Sequence, residues 1–100
     1  MSYTIEYARS VRDELAALRA YDRSRILDEI DSQLTHEPDV PTRRRKALLG
    51  LDPPWEHLEP VWELRIGDWR VYYDIDSEAV HVVIRAIREK PPHRTTEETI

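Results

Sequence analysis

The chain has 100 residues, a net charge of −5, 35% charged residues and no cysteine. That excludes a disulfide scaffold and thiolate metal centres, and a generic nucleic-acid binder would be basic overall. No apolar run approaches the ~20 residues that span a bilayer, and MSYTIEYARS lacks the basic and apolar regions of a signal peptide. One cytoplasmic domain over residues 1–100 is expected, large enough to bury a single core. The charge is uneven. The first 40 residues hold most of the acidic excess, while Arg43, Arg44, Arg45 and Lys46 form a basic block. Any affinity for a polyanion must therefore be local.

Tyr3 to Tyr7 alternates apolar or aromatic with polar residues and reads as a first strand. Ser10 and Asp13 resemble a capping box, so a helix is expected from there, with Val11, Leu15 and Leu18 on its apolar stripe. Asp22 is a suitable N-cap for a second helix, whose stripe is Ile26, Leu27, Ile30 and Leu34. Pro38 and Pro41 end it. Residues 37–60 hold five of the seven prolines and the basic block, and read as a long loop with a brief helical turn over Arg44 to Leu49. Loops of that length in a small domain are either functional or simple crossovers.

From Val61 onward the period is two. Trp62, Leu64 and Ile66, then Trp69, Val71, Tyr73 and Ile75, then Val80, Val82, Ile84 and Ala86 fall on one face. Glu63, Arg65, Arg70, Tyr72, Asp74, His81, Val83, Arg85 and Ile87 fall on the other. Gly67-Asp68 and Ser77-Glu78 mark two tight turns. Pro91 and Pro92 stop the last strand, and Thr95 with Glu98 has capping-box spacing for a final helical turn. The expected class is α+β: an N-terminal strand, an antiparallel helical hairpin, a long loop and a three-stranded antiparallel meander. The helices would cover the apolar face of a four-stranded sheet. The opposite face would carry arginine beside tyrosine and histidine, a surface suited to polyanions.

This order of elements resembles the RelE/ParE superfamily of bacterial toxin–antitoxin toxins over nearly the whole chain. The most specific segments are LRIGDWRVYYDID (Leu64 to Asp76), VHVVIRAI (Val80 to Ile87) and KPPHRTTEE (Lys90 to Glu98), closest to the RelE-like branch. The resemblance implies a toxin that enters the ribosomal A site and cuts mRNA without a cofactor, restrained by a cognate antitoxin. Such chemistry activates a 2′-hydroxyl, protonates a leaving 5′-oxygen and stabilises charge on phosphorus. Arg70 matches the family arginine that opens the third strand, and Arg65 the arginine before the turn. A guanidinium stays charged and holds two phosphate oxygens at once.

RelE-like toxins usually offer lysines on the preceding strand and a tyrosine in the tail. Here the strand carries Val61 and Glu63, and the tail has no tyrosine. Some relatives use a glutamate with a tail histidine, and Glu63 and His93 fit that pair. Alternatively, Glu63 is a salt-bridge partner of Arg65, Arg70 or Arg85. His81 ranks below His93, and His36 and His57 read as structural or exposed. The histidines have no metal-ligand spacing. Arg43, Arg44, Arg45 and Lys46 are either phosphate contacts for ribosomal RNA or a charge run balancing the acidic helices. Arg85, Arg88, Lys90 and Arg94 are further candidate RNA contacts. Trp62 and Trp69 belong to the core by alternation, and Trp55 is open. Two other readings stand: a ParE-like inhibitor of DNA gyrase, or a decayed toxin retained as an antitoxin-binding protein.

Overall fold

The computed structural model describes residues 2–91 and 96–100. The elements are β1 (Thr4–Tyr7), α1 (Arg9–Ala16), α2 (Ala20–Leu34), β2 (Arg45–Leu48), β3 (Val61–Ile66), β4 (Trp69–Asp76), β5 (His81–Glu89) and α3 (Thr96–Thr99). The strands form one sheet in the order β1-β5-β4-β3-β2. β1 runs parallel to β5, and the other pairs are antiparallel.

The sheet thus has five strands where the sequence suggested four. The additional strand is β2, in the place of the expected helical turn. Its amide groups pair with the outer edge of β3, from Arg45 opposite Leu64 to Leu48 opposite Val61. The Thr42 hydroxyl accepts from the amides of Arg44 and Arg45, both at 3.1 Å, and turns the chain into the strand. A ladder partner outweighs the weak helical preference of a few residues.

The helices begin one or two residues ahead of the expected caps. α1 starts at Arg9 after Ala8, and α2 at Ala20 after Arg19, neither with a side-chain cap. Asp22 instead sits in the first turn of α2, where its charge suits the helix dipole, and pairs with Arg19 at 3.3 Å. The apolar stripes hold as expected. Val11, Leu15, Ile26, Ile30 and Leu34 are buried with Trp62, Leu64, Ile66, Val71, Tyr73, Val82, Ile84 and Ile87. Leu18, Leu27 and Trp69 pack at the border of this core. The Tyr73 hydroxyl donates to the Pro38 carbonyl at 2.7 Å, tying the end of the helical layer to the sheet.

β5 departs from simple alternation. It begins at His81, because Val80 lies in the turn with φ 52. Tyr72 faces Ala86 while Tyr73 faces Ile84, so Arg85 is an extra residue in a bulge. Past the bulge the faces exchange. Ile87, expected on the polar face, joins the helix-side core, and Ala86 packs on the opposite face with Val61 and Tyr72. The same shift carries Arg88 to that opposite face.

Gly67 turns the β3–β4 hairpin with φ +58, and a Cβ there would stand 2.9 Å from Arg25 Nη2 of α2. Gly67→Ala is expected to cost about 1–2 kcal/mol, chiefly from the left-handed backbone, since the arginine head can swing aside. Urea unfolding followed by circular dichroism measures it, and an unchanged midpoint would contradict the assignment.

Candidate functional site

The sheet face away from α1 and α2 carries the candidate residues in two rows. In the first, Arg65 faces Arg70 across β3 and β4, and Arg70 faces Arg88 across β4 and β5. Directly paired residues of antiparallel strands project to the same face, roughly 5 Å apart. In the second row, Lys46 faces Glu63, Glu63 faces Tyr72, and Tyr72 faces Ala86. The hairpin at Gly67 and the bulge at Arg85 together set this alignment. Like charges placed opposite one another are destabilising. The arginine row therefore carries an electrostatic cost, offset at Arg88 by Glu14.

The three arginines differ in their surroundings. Arg65 is exposed. Arg70 is 6% exposed, and its Nη1 donates to the carbonyls of Gly67 at 2.8 Å and Trp69 at 2.9 Å. Its buried Nε has no acceptor among the described residues. Arg88 is half-buried and pairs with Glu14 of α1 at 3.1 Å. Glu14 Oε1 also accepts from the Ile87 amide at 2.9 Å, capping the β5 edge beyond the end of β1. The Arg88 guanidinium lies 5.7 Å from the centre of the Trp55 ring.

Glu63 is 1% exposed. It accepts from the Thr96 hydroxyl at 3.0 Å, and Lys46 Nζ lies at 3.9 Å. Among the described residues its salt-bridge partner is Lys46, rather than Arg65, Arg70 or Arg85. Burial raises the Tyr72 hydroxyl above its ordinary pKa. The neighbouring Glu63 carboxylate adds to that shift, and Arg70 and Arg88 oppose it. The Tyr72 hydroxyl makes no hydrogen bond of good geometry among the described residues, although it is close enough to Glu63 to feel its charge.

The basic block divides by alternation along β2. Arg45 points inward, is 7% exposed and donates to the Gln33 carbonyl at the end of α2. The inward turn takes it off the exposed face, so Arg45 braces the helix against the sheet. Arg43 is exposed, Arg44 pairs with Glu29 at 3.1 Å, and Lys46 reaches Glu63. Arg85 is held by Asp74, with Nε at 2.7 Å from Oδ2 and Nη2 at 3.3 Å from Oδ1. Lys90 lies beside the β3–β4 hairpin, its amide bonded to the Asp68 carbonyl at 2.7 Å.

His93, Arg94 and the Thr95 cap lie outside the described residues. His81 sits at the far end of β5, 3.4 Å from Glu6 and opposite Asp76, away from the arginine row. Among the described residues no group of acids and histidines is placed to hold a metal ion. Among the described residues no helix is long and apolar enough to cross a membrane. Glu14 and Thr96 carry no signal in the sequence. Glu14 reaches the site because α1 packs beside β5, and Thr96 because α3 brings it against Glu63 of β3.

A helical pair covers one face of a five-stranded sheet with an antiparallel β2-β3-β4-β5 meander, and the arginine row lies on the other, a small α+β fold. The chain matches the sequence profile of the ParE toxin of the type II toxin–antitoxin system, parDE, over residues 5–90. It belongs to this family, and so to the RelE/ParE superfamily of type II toxins. No curated protein sequence matches at a significant level. Solved structures share the fold. The toxin–antitoxin complex RelBE2 of Mycobacterium tuberculosis aligns with 24% identity and TM-score 0.71, over 90% of this chain and 93% of that one. The archaeal RelE–RelB complex of Pyrococcus horikoshii gives 22%, TM-score 0.65, 95% and 100%. The isolated E. coli RelE toxin gives 15%, TM-score 0.64, 95% and 89%.

Proposed function

We propose that this toxin cuts mRNA on the ribosome and is neutralised by a cognate antitoxin that covers the arginine-bearing face. The observation that carries the reading is the in-register row Arg65–Arg70–Arg88 on three adjacent strands. A phosphodiester passing through its transition state gains negative charge on its non-bridging oxygens, and fixed guanidinium groups favour that state over the ground state. Arg70 is the central cation, with Arg65 and Arg88 on either side. Glu63 lies one row away and accepts the 2′-hydroxyl proton once Thr96 withdraws from it. His93 in the tail returns a proton to the leaving 5′-oxygen. Arg43, Arg44, Lys46, Lys90 and Arg94 contact ribosomal RNA, and the site of action is the cytoplasm. The chemistry rests on side chains alone, without a cofactor.

A second reading, inhibition of DNA gyrase, is favoured by two observations. The matching profile is that of ParE, and Glu63 and Arg70 are buried and bonded within the chain. The two readings separate in one experiment. The toxin is expressed without its antitoxin while mRNA 5′ ends are mapped and supercoiling by purified gyrase is assayed. New 5′ ends within translated frames, with gyrase unaffected, are expected. Intact mRNA with blocked supercoiling would replace the nuclease reading by the gyrase one. Neither effect would leave a chain kept for its antitoxin.

A further inference from the structure

We propose that Trp55, with Tyr72 beneath it and Arg88 over it, forms a receiving site for one unstacked nucleobase of single-stranded RNA. The inference rests on the RNA-cutting reading of the same face and specifies how the strand is held beside the arginine row.

Trp62 and Trp69 belong to the helix-side core, whereas Trp55 packs on the opposite face with Val61, Tyr72 and Ala86. The connection between β2 and β3 brings it there. His57 Nδ1 is 2.9 Å from the Trp55 carbonyl and its Nε2 is 3.7 Å from Asp52, so the loop is shaped by its own side chains. The indole and the Tyr72 ring are tilted by 41° with centroids 5.6 Å apart. Arg88 lies over the indole at 5.7 Å. An aromatic ring and a guanidinium plane are the two surfaces on which proteins stack bases.

One donor in this cluster has no acceptor among the described residues, the buried Nε1 of Trp55, whereas the Tyr72 hydroxyl, itself 0% exposed, lies against the Glu63 carboxylate. Buried donors are nearly always paired, so an idle indole N–H points to a ligand that can accept from it. A nucleobase offers ring nitrogens and carbonyls as well as a π-face. A cleft of about 230 Å3 lined by Leu48, Gly50, Leu51 and Thr96 lies beside the cluster, which Leu48 also joins. A base that takes the indole surface displaces Arg88, whose guanidinium then turns to the phosphate beside it. One movement thus couples base capture to completion of the arginine row.

The test uses the full chain and two probes, a 2′-O-methyl hexanucleotide that cannot be cleaved and an abasic strand of equal length and charge. Wild type is expected to bind the base-bearing probe about 10-fold more tightly, with quenching of indole emission. Trp55→Leu abolishes the gap and the quench, and Trp55→Phe restores part of the gap. Equal binding of the two probes by wild type overturns the site, as does an unchanged gap in Trp55→Leu. If Trp55→Leu fails to fold, wild type and Trp55→Phe decide the matter through the gap and the quench. An unchanged gap with lost antitoxin binding in Trp55→Leu assigns the ring to the protein partner instead and overturns the proposal. A base-dependent gap in a protein that leaves translated mRNA intact upholds the site and sinks only the nuclease reading. Cleavage of mRNA by a protein that binds both probes alike sinks only the site.

Discussion

Arg70→Ala is expected to slow mRNA cleavage by about 100- to 1,000-fold, the loss typical of removing one preorganised charge donor from a transition state. Arg70 is the middle member of the row, flanked by Arg65 and Arg88, so no neighbour takes over its position. Its two bonds to the Gly67 and Trp69 carbonyls hold the guanidinium in place before substrate arrives. Preorganisation of that kind is what makes a charge effective in the chemical step. The same bonds make a structural contribution, so the substitution is expected to cost about 1–3 kcal/mol as well. The two effects separate cleanly. The far-ultraviolet circular dichroism spectrum of Arg70→Ala should match wild type at temperatures well below unfolding, while cleavage is lost. Arg70→Lys keeps the charge without the planar fork and should recover only part of the rate. A folded Arg70→Ala that cuts mRNA within about threefold of wild type would remove Arg70 from the chemistry.

Arg65 and Arg70 were placed together by sequence pattern alone. Strict alternation in β3 and β4, with a two-residue turn at Gly67-Asp68, fixes their shared face. The helical stripes were legible for the same reason, since each depends only on spacing within one element. What depended on distant partners was not legible. β2 reads as a charge run because its pairing edge belongs to β3, and the inward turn of Arg45 follows only once the strand is known. The bulge at Arg85 has no glycine or proline to announce it. Counting by twos through it therefore put Ala86 and Ile87 on the wrong faces. Glu63 was placed on the correct face, but its burial goes with distant residues packed on that face, Thr96, Ile100 and Trp55. The departures from pattern thus gather at the site. A local irregularity in β5 is what aligns Arg88 with Arg70.

That bulge has an anchor, and its removal should be the most damaging substitution to stability. Asp74 is fully buried on β4 and grips Arg85 through two bonds, at 2.7 and 3.3 Å. The Arg85 side chain is itself only 18% exposed. Asp74→Ala leaves a largely buried guanidinium with no counter-charge, a loss of about 3–5 kcal/mol where one partner of a buried pair is deleted. Against the 5–15 kcal/mol typical of a folded domain, this is a large fraction. Replacing both partners, as in Asp74→Leu with Arg85→Met, removes the buried charge as well as its partner and should recover most of the loss. Urea unfolding of the three proteins measures the difference, with an unchanged slope of free energy on denaturant marking a change in stability alone. The double variant carries a second consequence. With the pair gone, nothing but packing keeps position 85 as the extra residue, and a slip of one position would return Arg88 to the helix side of the sheet. The double variant should therefore fold stably and yet bind single-stranded RNA more weakly than wild type. If it binds as tightly as wild type, the ion pair does not set the register that aligns Arg88 with Arg70.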